Sequence, residues 1–168
     1  MKTIISELEE HKAMAELLAD CQHIATKLAI RYEKNRKALA AIALTTDSSI
    51  LAAHSNDIGF DTVYPRQIEA IANEKNCLVA ISISGTSKNI LSAVKAARLK
   101  SMAVIGLTGR DDGVLSGQVT HSVIVPAVVA ARIQDAHILI ARWWCGLIDD
   151  CMDAGGRAMQ GAVAEEAC

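Results

Sequence analysis

Ser82, Ser84, Thr86 and Ser87 crowd around Gly85 in the stretch Ser82-Ile83-Ser84-Gly85-Thr86-Ser87-Lys88. Hydroxyls at that density, beside a glycine that permits a tight turn, suit the holding of an anionic oxygen cluster. Ser87 stands in an N-cap position before the amphipathic run Ile90, Leu91, Val94 and Ala97. Free backbone N–H groups and the positive end of a helix dipole therefore converge on the same turn. Neither the G-x-x-x-x-G-K-[ST] spacing of a nucleotide loop nor the G-x-G-x-x-G of a dinucleotide fold is present in it, which disfavours both nucleotide classes. A sugar phosphate, gripped by hydroxyls without lysine or magnesium, fits better. Serines and a glycine after a strand are also ordinary turn chemistry, and context has to separate the two readings.

Other chemically capable side chains are scattered. His23 and Lys27 are four residues apart and would share one helix face. Gln134 and His137 belong to a later helical stretch, and His54 falls near Asn56 and Asp57 in what reads as a solvated turn. Asp47 follows a short apolar run, where it would cap the next helix. The five cysteines, at 21, 77, 145, 151 and 168, form no C-x-x-C pair and read as free thiols.

The elements that must position these residues alternate. Cys77 to Ile81 is continuously apolar, as expected of a parallel strand covered on both faces, and Ala103 to Leu107 and Ser122 to Val125 are similar. Ala41-Ile42-Ala43-Leu44 reads as a further short strand. Residues 1 to about 35 read as one helix with a stripe through Ile4, Leu8, Ala15, Leu18, Ile24 and Leu28. Pro65 marks the first turn of a helix near Val63 to Ala72. A last helix from about Ala130 to Met152 is apolar on more than one face, so the terminal helices are expected to pack against another subunit. Strands alternating with helices predict an α/β fold: a parallel-sheet three-layer sandwich with helices on both faces and ligands outside the C-terminal strand ends. Ser84, Asp47 and Thr108 would lie on that edge. Residues 1–153 form the single expected domain, with a frayed tail over 154–168.

Composition narrows the function. At 168 residues and 51% apolar, the chain supports one core. A net charge of −2, with basic residues scattered, argues against direct nucleic-acid binding. An aromatic content of 3% argues against stacking on bases as a recognition device. No leader or membrane-length apolar run is evident, so a cytoplasmic protein without membrane contact is expected.

Five stretches in order resemble the sugar isomerase (SIS) domain, in the branch of the phosphoheptose isomerases and the related replication-initiator-associating proteins. They are ADCQHIATKLAIRYEKNRKALAAIALTTDSS, SNDIGFDTVYPRQIEAI, LVAISISGTSKNIL, VIGLTGRDDG and ARIQDAHILI. The resemblance implies a homotetramer that converts sedoheptulose 7-phosphate to a heptose phosphate for lipopolysaccharide, with active sites between subunits. It implies that Ser82, Ser84 and Ser87 hold the substrate phosphate and that Asp47, His23 and Gln134 line the pocket.

The departures from the family pattern matter as much. Of the family's GNGGSAADAQH only Ala19-Asp20-Cys21-Gln22-His23 corresponds, so its first sheet strand and one phosphate-contacting serine are missing. Lys27 stands where H-x-x-x-E places the family's glutamate, and Arg142 where its catalytic histidine stands. An enediol mechanism needs a base beside the carbonyl and an acid at the neighbouring oxygen, and arginine stays protonated. Zinc, which some members bind at these positions with the counterparts of His23 and Gln134, would lose two of four ligands, so no cofactor is expected. The expectation is a phosphosugar-binding, non-catalytic protein, as a homo-oligomer or as the silent subunit of a mixed oligomer with an active paralogue. The alternatives are an active isomerase using Lys27, His23 or His137, and an adaptor that works through protein contacts.

Overall fold

The computed structural model describes residues 17–110 and 113–165, with 154–165 as backbone only. Helix α1 occupies residues 17–29. Helices α2 (Ser48–Asp57) and α3 (Val63–Ile71) follow, then strand β1 (Cys77–Ser82), helix α4 (Lys88–Leu99), strand β2 (Ala103–Gly109), strand β3 (His121–Val125) and helix α5 (Ala130–Glu165). The sheet is parallel throughout in the order β1-β2-β3. Register sets Ser82 opposite Thr108 and Gly109 opposite Val125, so the polar strand ends line one edge.

Side chains of opposite parity on β2 reach the two faces of the sheet. Val104 enters the core that α3 and α4 build from Val63, Tyr64, Ile68, Val94 and Ala97. Gly109 meets α5 on the other face, where a Cβ would come within 2.5 Å of Ile133. Any larger residue at 109 would push α5 off the sheet. On α5, Ile133, His137, Ala141, Cys145 and Asp149 recur every fourth residue and are all buried, the stripe expected of a helix lying against the fold.

Three sequence expectations change. Ala41 to Leu44 is not a strand. A strand needs a ladder partner, and β1 pairs with β2 alone. The 41–44 carbonyls are used locally instead: Thr46 Oγ1 donates to Ala43 O at 2.9 Å and Gln67 Nε2 to Leu44 O at 3.1 Å. The N-terminal helix, whose first sixteen residues lie outside the described ones, stops at residue 29 rather than 35. Arg36 folds back there and donates to the carbonyls of Leu28 and Lys27, each at 2.9 Å, satisfying acceptors that the helix end leaves open. Helix α5 continues to Glu165, past the end expected at Met152. Gly155 and Gly156 cost about 1 kcal/mol each in a helix, and good helix formers flank them.

Candidate functional site

The turn after β1 is pinned on both sides. Gly85 takes φ +65, a conformation glycine adopts without strain. Its carbonyl accepts from Val114 N and Leu115 N at 3.2 and 3.0 Å, and Gly109 N donates to Ile83 O at 3.1 Å. Inside the turn, Gly85 N donates to Ser82 Oγ at 3.1 Å, and the Ser82 and Ser87 hydroxyls are 3.1 Å apart. Ser84 Oγ accepts from Thr86 N and Thr86 Oγ1 at 3.3 and 3.0 Å. The Ser82 and Ser87 hydroxyls are thus brought together, while the Ser84 hydroxyl pairs with Thr86 in the same turn.

Ser87 occupies the N-cap position, yet its side chain makes no capping bond. The hydroxyl turns toward Ser82 instead, and Ile90 N takes Asn89 Oδ1 at 2.9 Å. The first N–H groups of α4, at Lys88 and Asn89, are left without a partner among the described residues. An anionic ligand suits such a helix start.

One strand spacing away, the polar chain continues. Thr108, opposite Ser82, is fully buried, and its carbonyl accepts from His137 Nε2 at 3.0 Å. Because a carbonyl can only accept, His137 Nε2 carries the proton and Nδ1 presents a lone pair. Burial holds the His137 imidazole below its ordinary pKa, against the opposing pull of the Thr108 bond and Asp20. Gln134 Nε2, one turn earlier on α5, donates to Asp20 Oδ2 of α1 at 3.4 Å. His23 follows on α1 and is also held below the ordinary value, first by burial, then by the charges of Arg142 and Lys27, with Asp20 opposing. Lys27 is half-buried with Nζ 5.9 Å from the Tyr32 ring centre, and Arg142 is exposed at the flank of the α5 stripe. Neither has a carboxylate partner among the described residues.

Three buried side-chain polar atoms lack a partner among the described residues: His23 Nε2, Thr108 Oγ1 and His137 Nδ1. All belong to this junction. Each unpaired buried group costs about 1–3 kcal/mol, so their concentration marks the place as built for something other than stability.

Other candidates lie elsewhere. Asp47 is exposed and caps α2, accepting from Ile50 N at 2.9 Å. His54 belongs to α2 rather than a turn, with Nε2 2.9 Å from Thr62 Oγ1. The hollow beside Asn73, Glu74, Lys75 and Lys100 sits at the opposite, N-terminal edge of the sheet. There Lys100 Nζ is already engaged by Glu69 O and Ala72 O at 2.9 and 2.8 Å. Sequence reasoning passed over Asp20, although it precedes His23 by one helical turn. It also passed over the buried pair Arg36–Asp149, in which Glu33 N and Lys34 N add bonds of 2.9 and 3.0 Å to Asp149 Oδ2.

The SIS domain family matches residues 18–109, spanning α1 to the end of β2. This chain belongs to that family, in its phosphoheptose isomerase branch. It is 49% identical over 132 residues to phosphoheptose isomerase 1 of Campylobacter jejuni, covering 79% of this chain and 71% of the relative. The phosphoheptose isomerase of Paramagnetospirillum magneticum is 45% identical over 131 residues, 78% of this chain and 68% of that one. Among solved structures, phosphoheptose isomerase GmhA from Neisseria gonorrhoeae superposes with a TM-score of 0.73 at 41% identity, over 83% of this chain and 72% of the other. A phosphoheptose isomerase from Francisella tularensis gives 0.77 at 38% identity, over 80% and 72%. The SIS fold is thus retained around a three-stranded parallel sheet. No helix among the described residues is long and apolar enough to cross a membrane.

Proposed function

We propose that this SIS-domain chain binds a sugar phosphate without isomerising it, Lys27 and Arg142 having replaced the family's acid–base pair. The supporting observation is the electrostatics around His23: burial lowers its pKa, and the charges of Arg142 and Lys27 lower it further. Aldose–ketose exchange requires one group to take a proton and another to give one back. An arginine guanidinium stays protonated in proteins, so Arg142 cannot stand in for a group that takes and returns a proton. Relatives named as phosphoheptose isomerases and the hydroxyl turn after β1 together support a sugar phosphate as ligand.

Zinc does not fit this donor set. His23 and Gln134 offer two neutral donors, while Lys27 and Arg142 add positive charge, and a zinc site wants at least three protein ligands. Among the described residues no three of His, Cys, Asp or Glu gather where a metal could sit.

Purified protein incubated with sedoheptulose 7-phosphate is expected to show binding by calorimetry and no turnover above background. A rate matching that of an ordinary family enzyme overturns the proposal. A second reading, an isomerase working through His23, is favoured by its unpartnered Nε2. It requires turnover that His23→Ala abolishes. The exposed stripe Leu139, Trp143 and Leu147 on α5 supports oligomer formation, which sedimentation of the wild type against Trp143→Glu tests.

A further inference from the structure

Helix α4 sorts its residues into two opposite stripes. Ala93, Val94, Ala96 and Ala97 enter the core, while Lys88, Leu91, Ser92, Lys95, Arg98 and Leu99 fall together on the other side at helical spacing. No carboxylate belongs to this outer stripe or to the chain around it. Between Glu74 and Asp111 stand Lys75, Lys88, Lys95, Arg98, Lys100 and Arg110, with no Asp or Glu among them. Acidic residues outnumber Lys and Arg by 19 to 17 over the whole chain, so positive charge is segregated here. Exposed cations on the neighbouring helices are treated differently: Arg66 of α3 is paired with Glu69 and Arg132 of α5 with Asp135, each three residues on. Lys95 and Arg98 have no carboxylate partner among the described residues.

These two cations line a surface hollow. It has a volume of about 520 Å³ and is bounded by Leu91, Ser92, Lys95, Arg98, Leu99 and Gln118, which places it between α4 and the 3₁₀ turn Ser116–Gln118. Leu99 is 80% exposed and Leu91 half-buried, so apolar surface lies directly beside unneutralised charge. A nucleic acid would engage the cations and leave both leucines in water. An acidic peptide with apolar side chains covers both. We propose that the outer face of α4 docks an acidic segment of a partner protein, whose leucine-type side chains enter the hollow between Leu91 and Leu99 while its carboxylates meet Lys95 and Arg98. Leu91 and Leu99 are about 12 Å apart along the helix axis at 1.5 Å per residue, a span that two turns of a partner helix match. The Ser82 and Ser87 hydroxyls do not line the hollow, so docking and sugar-phosphate binding are separable.

Fluorescence anisotropy of the full chain at low salt tests the proposal, with a labelled twelve-residue peptide carrying two leucines four residues apart among glutamates. Binding is expected, and it should weaken as salt is added, because the paired charges are exposed. Lys95→Glu combined with Arg98→Glu should weaken it about tenfold or more, and Leu99→Ser should weaken it without removing its salt dependence. Arg132→Glu, the same charge reversal on α5, should leave it unchanged. All of these side chains are exposed, and circular dichroism checks that each variant keeps its fold. Failure of the wild type to bind the peptide overturns the proposal, as does binding that survives the double reversal. Equal affinity for a peptide with glutamine in place of every glutamate overturns it by removing the charge requirement. Tighter binding of a single-stranded oligonucleotide, lost in the same double variant, overturns it by assigning the face to nucleic acid.

Discussion

Arg36 and Arg142 lie along the same α1–α5 seam and are treated in opposite ways. Arg36 is buried against Asp149, donates to the carbonyls of Leu28, Lys27 and Lys37, and shares Asp149 with two backbone N–H groups. Burial works to raise the Asp149 carboxyl, but the bonds from Lys34 N, Arg36 and Glu33 N outweigh it and hold the group below the usual carboxylate range. Arg142, nearer the strand ends, has no such partner among the described residues and adds its field to that of Lys27 around the half-buried His23 imidazole. One end of the seam is closed electrostatically; the other is open. Charges that serve the fold are paired, and those left unpaired beside orphaned polar atoms are the ones available to a ligand.

The comparison is broken most directly at Asp149. Asp149→Ala leaves Arg36 buried without its counter-charge and should cost about 3–5 kcal/mol, read as a shift in the urea midpoint. A smaller effect is expected at the hydroxyl turn. Ser82→Ala strips the acceptor of a buried Gly85 N–H and should cost about 1–3 kcal/mol, together with a loss of sugar-phosphate binding. At the open end, Arg142→Gln should leave stability within about 0.5 kcal/mol of wild type, the same denaturation curve serving as the check. A loss comparable to that of Asp149→Ala would mean that Arg142 is a structural charge after all.

Acid sharpens the contrast further. His23 and His137 are both held below the ordinary value of 6.5, so the unfolded chain binds protons that the folded chain refuses. Stability from these groups is complete above pH 6.5 and is eroded as pH falls through that value toward the lowered ones. Asp149, lowered from 3.8, adds a second loss at more acid pH. Replacing Lys27 and Arg142 together with glutamine should move the His23 titration upward in an NMR experiment. The return should be incomplete, because burial is the larger cause. An unmoved titration would place the two cations too far away to matter.

Much of the hydroxyl turn was legible in the chain. An apolar strand, a hydroxyl cluster around Gly85 and an amphipathic helix are local patterns, and β1, the turn and α4 form where those patterns run. Pro65 likewise opens α3 as read. The turn's hydrogen bonding was less legible: Ser87 bonds to Ser82 rather than capping α4, because a nearer hydroxyl competes for it. Ala41 to Leu44 failed for a different reason. Its composition suits a strand, but strandhood depends on a neighbour, and no strand pairs with it among the described residues.

The sequence by itself determined the strand–turn–helix unit and the parallel sheet. Only the tertiary structure decided that Asp20 and Gln134, 114 residues apart, meet. It also decided that His23, Thr108 and His137 leave buried atoms unpaired together and that Arg36 rather than Arg142 is neutralised. Periodicity and turn chemistry act over a few residues and can be read from them. Whether a charge finds its partner depends on which distant segments the packed core brings within hydrogen-bond reach.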